Sequence, residues 1–169
     1  MNLAVRHLEG VDAPVNGGAL GAYLEAIRLI ERTHRRFLDV VKDELDRLGE
    51  EEVNNVQAVL LHNLGSEVLT PSELKSRGYY MGSNVSYNLK KLGELGYLTQ
   101  QRSTRDRRTV RIAVTDKGAK IAEVVDGLLA RHMQSLGPIG GVDDASLSEA
   151  TQILRRLDRF WKDQVLYRL

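Results

Sequence analysis

Residues 70–118 constrain the fold of this chain more than any other stretch, because they read as helix, turn, helix, two-stranded hairpin and helix start, with positive charge concentrated among them. The first helix opens at Thr70-Pro71-Ser72-Glu73, where a threonine can cap, a proline takes the first helical position and a glutamate three residues on completes a capping box. It should stop near Arg77, since Gly78 supplies a left-handed position and Tyr79-Tyr80-Met81-Gly82 has room only for a turn. A second helix follows over residues 83–95, with Val85, Leu89 and Leu92 forming one apolar stripe and Gly96 closing it. Ser83, Asn84, Tyr87, Lys90 and Lys91 project from the opposite side, and Asn88 lies at the edge of that arc.

Taken alone, such a face is an ordinary solvated helix surface. The following residues change the reading. Two short alternating β-prone runs, residues 97–102 and 110–114, flank Ser103-Thr104-Arg105-Asp106-Arg107-Arg108-Thr109, a hairpin tip without apolar side chains that carries three arginines around one aspartate. An arginine placed in a narrow A·T minor groove meets an enhanced negative potential. Between Lys75 and Arg111 stand nine Lys or Arg against Glu94 and Asp106, a net of +7, and since the whole chain is +1 the remainder carries −6. A basic face on an otherwise acidic body is the footprint of a polyanion-binding surface. Short polar side chains near the start of the second helix suit base edges, and the lysines after them suit phosphates.

These residues resemble the MarR family of winged-helix transcription regulators. The family pattern of an Asp-x-Arg wing, an apolar strand and Thr-x-x-Gly opening a helix stands here as Asp106-Arg107-Arg108, residues 110–114 and Thr115-Asp116-Lys117-Gly118. Val56-Gln57-Ala58-Val59-Leu60 resembles the family's second helix, so the likeness runs over residues 53–118 with compatible helices on both sides. Residues 77–92 also resemble the LdtR-like subgroup, named for regulating an L,D-transpeptidase, while Gly78-Tyr79-Tyr80 departs from the smaller aliphatic residues usual in that turn. The resemblance implies a homodimer on a pseudo-palindromic double-stranded operator, with recognition helices in successive major grooves and wings in the flanking minor grooves. It further implies release by a small aromatic effector. On this reading Ser83, Asn84, Tyr87 and Asn88 read bases and Lys90 and Lys91 touch phosphates. Arg105, Arg107 and Arg108 supply the wing contacts, with Arg108 at the family's inserted position and Asp106 orienting an arginine.

The flanks fit this picture. Residues 1–18 hold Gly10, Pro14, Gly17 and Gly18 without helical period and read as a tail. Residues 20–48 carry Leu20, Leu24, Ile27, His34, Phe37, Leu38, Val41, Leu45 and Leu48 at helical spacing, interrupted by Glu31 and Glu44. A helix of that length leaves apolar surface bare unless something covers it, and a second subunit is the simplest cover. Asn54 or Asn55 can cap a helix running to Leu64, and residues 65–69 read as a link that pairs with the hairpin. After the wing, Thr115 caps a helix ending at Gly137-Pro138-Ile139-Gly140-Gly141. The box Ser146-Leu147-Ser148-Glu149 then opens a last helix whose broad stripe includes Leu147, Ile153, Leu154, Leu157, Phe160, Trp161 and Val165. The alternative is that the first and last helices simply cover each other within one chain.

The expected fold is therefore mainly α with a small β-hairpin wing, a winged helix-turn-helix with long N- and C-terminal dimerisation helices. Its parts are a tail at 1–18, a helical dimerisation region at 19–52 and 119–169, and a DNA-binding lobe at 53–118. The length of 169 residues suits one domain with helical extensions. The chain has no cysteine, which excludes disulfides, thiolate metal sites and thiol-based sensing. His7, His34, His62 and His132 stand apart without metal-ligand spacing, and neither a phosphate loop nor a nucleophile elbow is present, so no metal, cofactor or catalytic group is expected. Neither a membrane-length apolar run nor a signal core occurs, and the expected location is the cytoplasm. Effector sensing falls to a small, mostly apolar molecule where the first helix meets the DNA-binding lobe. His34, Phe37, His62 and Tyr80 are the groups expected nearest, though each also has a plain core-packing explanation. Two other classes share the charge pattern: an adaptor binding protein or RNA through the basic face, and a helical dimer that only binds a small molecule.

Overall fold

A computed structural model describes residues 17–76, 83–102 and 110–167. Six helices and one antiparallel pair of strands follow in the order α1 (Gly17–Leu48), α2 (Asn55–Leu64), α3 (Pro71–Ser76), α4 (Ser83–Glu94), β1 (Leu98–Arg102), β2 (Val110–Val114), α5 (Asp116–Leu136) and α6 (Asp144–Tyr167). This is the mainly helical, hairpin-winged architecture expected. The chain divides into two compact units, one ending at Val40 and the other beginning at Val41. In the first unit α1 starts at Gly17, so Gly17 and Gly18 are helical rather than part of a tail. No described helix is long and apolar enough to cross a membrane.

The second unit is built on α2 and α5, which pack against each other. Ala58, Leu61 and Leu64 of α2 and Ile121, Val125 and Leu128 of α5 are buried, together with Val41 and Leu45 at the end of α1. Non-directional apolar burial of this kind supplies most of a domain's stability, at roughly 25 cal/mol per Å² of apolar surface removed from water. Asn54 is the N-cap of α2, with Gln57 closing a full capping box, which resolves the choice between Asn54 and Asn55. At Thr70 the expected box also forms: Glu73 N donates to Thr70 Oγ1 at 3.2 Å and Thr70 N donates to Glu73 Oε2 at 2.7 Å.

Helix α4 ends as the sequence predicts. Gly96 has φ of 79°, Gly96 N donates to Gly93 O at 3.1 Å and Tyr97 N to Leu92 O at 2.8 Å, the paired bonds of a Schellman cap. The hairpin runs in register from Leu98 opposite Val114 to Arg102 opposite Val110. Leu69 adds a single bridge to Ile112, with bonds of 3.0 and 2.8 Å, so the link before α3 does pair with the hairpin.

One helix start differs from expectation. Helix α6 opens at Asp144, not at Ser146, and Ser146 N donates to Asp143 Oδ1 at 2.8 Å. Asp143 is thus the capping group. Its carboxyl is held below the usual range by the side-chain and backbone hydrogen bonds of Ser146. A carboxylate there gains from the helix dipole as well as from its hydrogen bond, and Asp143 caps α6 three residues before the serine box.

Candidate nucleic-acid interface

Helix α4 is seated by its apolar stripe. Leu89 and Leu92 are buried, which turns Ser86, Tyr87 and Lys90 outward. Tyr87 is 64% exposed, far beyond what a packed tyrosine shows. Lys90 is exposed and stands 3.8 Å from Glu94, a loose surface pair that leaves the ammonium available. Lys91 is half-buried. Ser83 and Asn84 lie in the first turn of α4, and their side chains, like all of residues 103–109 with Arg105, Asp106, Arg107 and Arg108, fall outside the described residues.

Asn88 does not face outward as expected. It is 7% exposed, and its Oδ1 accepts a hydrogen bond of 3.2 Å from Gln57 Nε2. Burying an unpaired amide is costly, whereas a paired one is tolerated, so the presence of Gln57 decides which way Asn88 turns.

Where β1 begins, three residues from three segments meet. Tyr97, buried at the base of β1, donates its hydroxyl to Glu52 Oε2 at 2.8 Å, and Lys117 Nζ donates to the same oxygen at 2.7 Å. Lys117 also donates to Leu95 O at 3.1 Å, just past the C-terminal end of α4, and its ammonium lies 4.1 Å from the centre of the Tyr97 ring. The Lys117 and then the Tyr97 hydrogen bond hold the Glu52 carboxyl below its usual range. Burial, reinforced by the bond to Glu52, pushes the Tyr97 phenol up. Lys117 is raised chiefly by its bond to Glu52. Thr115 closes the corner by accepting from Gly118 N at 3.2 Å and donating to Gly96 O at 2.8 Å. A Cβ on residue 118 would stand 2.3 Å from Tyr97 O, so only glycine fits there. The Thr-x-x-Gly motif is therefore the joint between the end of α4, the hairpin and α5.

On the hairpin itself Ile112 is buried and Arg111 is exposed. Arg111 entered the charge count, yet only the observed register places it outward. Sequence reasoning did not single out Gln57, Glu52, Tyr97 or Lys117. A cap at Asn54 or Asn55 was readable, but neither the box that Gln57 closes nor the second use of Gln57 toward Asn88 was.

Of the four groups expected near an effector, His34 is exposed and Phe37 half-buried in the first unit. His62 is half-buried in the second, with Nδ1 3.0 Å from Asp126 Oδ1. Tyr80 lies outside the described residues. Among the described residues no group of three His, Cys, Asp or Glu could hold a metal ion.

Comparison with known proteins agrees with this geometry. Residues 53–118 match the family described as winged helix DNA-binding domain. Over 163 residues the chain is 34% identical to the exopolysaccharide II synthesis transcriptional activator ExpG of Rhizobium meliloti (strain 1021), covering 94% of this chain and 84% of the relative. Among solved structures, FabT of Streptococcus pneumoniae in complex with DNA superposes with a TM-score of 0.65 at 20% identity, covering 83% of this chain and 98% of that one. A MarR protein from Peptoclostridium difficile DA00132 gives 0.70 at 13% identity, covering 100% and 99%.

Proposed function

Since the chain belongs to the winged-helix DNA-binding transcription regulators of the MarR type, we propose that it acts as a homodimer on a pseudo-palindromic duplex, in the cytoplasm, reading the major groove with α4. The observation that carries this is the roll of α4: Leu89 and Leu92 are buried while Ser86, Tyr87 and Lys90 are exposed, and Arg111 on the hairpin is exposed as well. Ser83, Asn84 and Tyr87 are the base readers, and Lys90 and Lys91 the phosphate contacts. Asn88 leaves the reading set because its side chain is buried and its amide oxygen accepts from Gln57. Arg105, Arg107 and Arg108 belong to the minor groove, with Asp106 orienting an arginine.

Dimerisation rests on α1 and α6. The resemblance to the MarR family implies a dimer, and α6 buries none of its own residues, leaving Ile153, Leu154, Phe160 and Val165 about half exposed or more. A second copy covers both helices and places the two recognition helices about one helical turn of DNA apart. The target genes are those of the cell envelope. Support comes from the likeness of residues 77–92 to the L,D-transpeptidase regulators and from the relative named for exopolysaccharide synthesis. That relative's description as an activator favours activation over repression here. A small aromatic effector loosens the complex, so DNA must weaken effector binding by the same factor.

Enrichment of duplexes from a random pool by the full chain, followed by titration against random duplex and single-stranded RNA at fixed salt, tests the reading. A palindromic consensus bound at least a thousandfold, to order of magnitude, better than random duplex is the expected result. Equal affinity for RNA and for every duplex would favour the adaptor instead.

A further inference from the structure

We propose that the buried amide pair Gln57–Asn88 sets the roll of the recognition helix and so determines sequence discrimination without touching DNA. This rests on the DNA-reading role of α4 given above. Gln57 is 4% exposed and anchored twice: its backbone N donates to Asn54 Oδ1 at 2.9 Å, and its Oε1 accepts from Asn54 N at 3.0 Å. It sits on α2, which packs against α5 and buries Ala58, Leu61 and Leu64 in the core of the unit. Its remaining group, Nε2, reaches α4 at Asn88.

The physical division of labour is clear. Leu89 and Leu92 hold α4 down, but apolar contacts are non-directional and tolerate a small roll about the helix axis. A hydrogen bond loses strength steeply as it bends, and a buried one has no water to replace it. A roll of about 20° carries a side-chain tip lying roughly 6 Å from the axis through about 2 Å. That is more than a base-edge hydrogen bond can absorb. Asn88 adjoins Tyr87, so the restraint acts one residue from the outward tip.

The duplex that the wild-type chain enriches from a random pool is the probe, and the readout is its affinity relative to random duplex at one salt concentration. Gln57→Met and Asn88→Leu should each lower that ratio about tenfold while leaving random-duplex affinity unchanged. The double variant should fall no further, because both remove one bond. Asn54→Ala breaks the α2 cap but spares the amide pair, and should keep the wild-type ratio while lowering thermal stability. Should Gln57→Met fail to fold, Gln57→Leu combined with Asn88→Leu replaces the pair by apolar groups and carries the same expectation. A wild-type ratio in Gln57→Met overturns the inference, and a fall in Asn88→Leu alone would mean that Asn88 contacts bases itself. A wild-type chain that fails to discriminate would instead overturn the DNA-reading role and this inference with it.

Discussion

Helices α5 and α6 are similar in length and amphipathy, yet they end up in opposite circumstances. Helix α5, of 21 residues, buries Gly118, Ile121, Ala122, Val125 and Leu128, whereas α6, of 24 residues, buries none. Both carry stripes at helical spacing, so the difference lies in what each stripe finds. That of α5 meets α2 and the hairpin within the same chain. That of α6 leaves Phe160 at 51% and Val165 at 80% exposure. An amphipathic pattern states that a helix needs a partner and is silent on which molecule supplies it.

The largest expected effect breaks the well-packed side of that comparison. Leu61→Ala, at a fully buried position of α2 facing α5, should cost about 2 to 5 kcal/mol in chemical unfolding. A loss below about 0.5 kcal/mol would mean that α2 and α5 do not form the core. Next in size, Gly118→Ala puts a methyl against Tyr97 O and Val114 Cγ1, and should cost about 1 to 3 kcal/mol while loosening the joint at the hairpin.

Substitution on α6 should behave differently. Phe160→Ser should leave the unfolding of the isolated subunit within about 0.5 kcal/mol. It should weaken self-association by about 1 to 2 kcal/mol in a dilution series followed by sedimentation. The wild-type melting temperature should rise with protein concentration, and this dependence should diminish in the variant. A concentration-independent melt for wild type would place the partner of α6 elsewhere.

A pH titration sharpens the boundary at the end of α1. Glu44 is 9% exposed, and Arg47 and Arg131 Nη2 donate to its oxygens, with Arg131 at 2.5 Å. Hydrogen bonding from Arg47, opposed by burial and aided by Arg131, lowers its carboxyl from 4.5 to about 2. A depressed folded-state value stabilises above the unfolded value and is lost as pH falls through the folded one, so the window runs from 4.5 down to about 2. Wild type should therefore exceed Glu44→Gln in stability at pH 6, with the gap closing toward pH 2. A gap that stays constant would contradict the ion pair. The smallest effect is at the rim: Lys90→Ala should reduce the slope of log affinity against log salt by about one and leave the preferred sequence unchanged.

Much of this structure was legible because its signals are local. The box at Thr70, the cap at Asn54 or Asn55, the Gly96 terminator and the Thr115 cap all lie within four residues of the groups they satisfy. The misread positions share the opposite property. Asn88 looked like an outward polar residue because its partner Gln57 lies 31 residues away. Glu44 looked like an interruption of the α1 stripe because one of its two arginines lies 87 residues away. At α6 two capping signals competed within four residues, and pattern alone did not rank Asp143 over Ser146. The basic face was visible as composition, but the outward turn of Tyr87 and Arg111 required knowing what their neighbours pack against.

The most direct test of a dimer that reads duplex DNA is the stoichiometry of the complex. The full chain can be titrated in sedimentation velocity onto a labelled duplex that it enriches from a random pool. Saturation at two chains per duplex, with no intermediate carrying one, is the predicted result. Saturation at one chain per duplex would contradict both the role of α6 and the paired recognition helices.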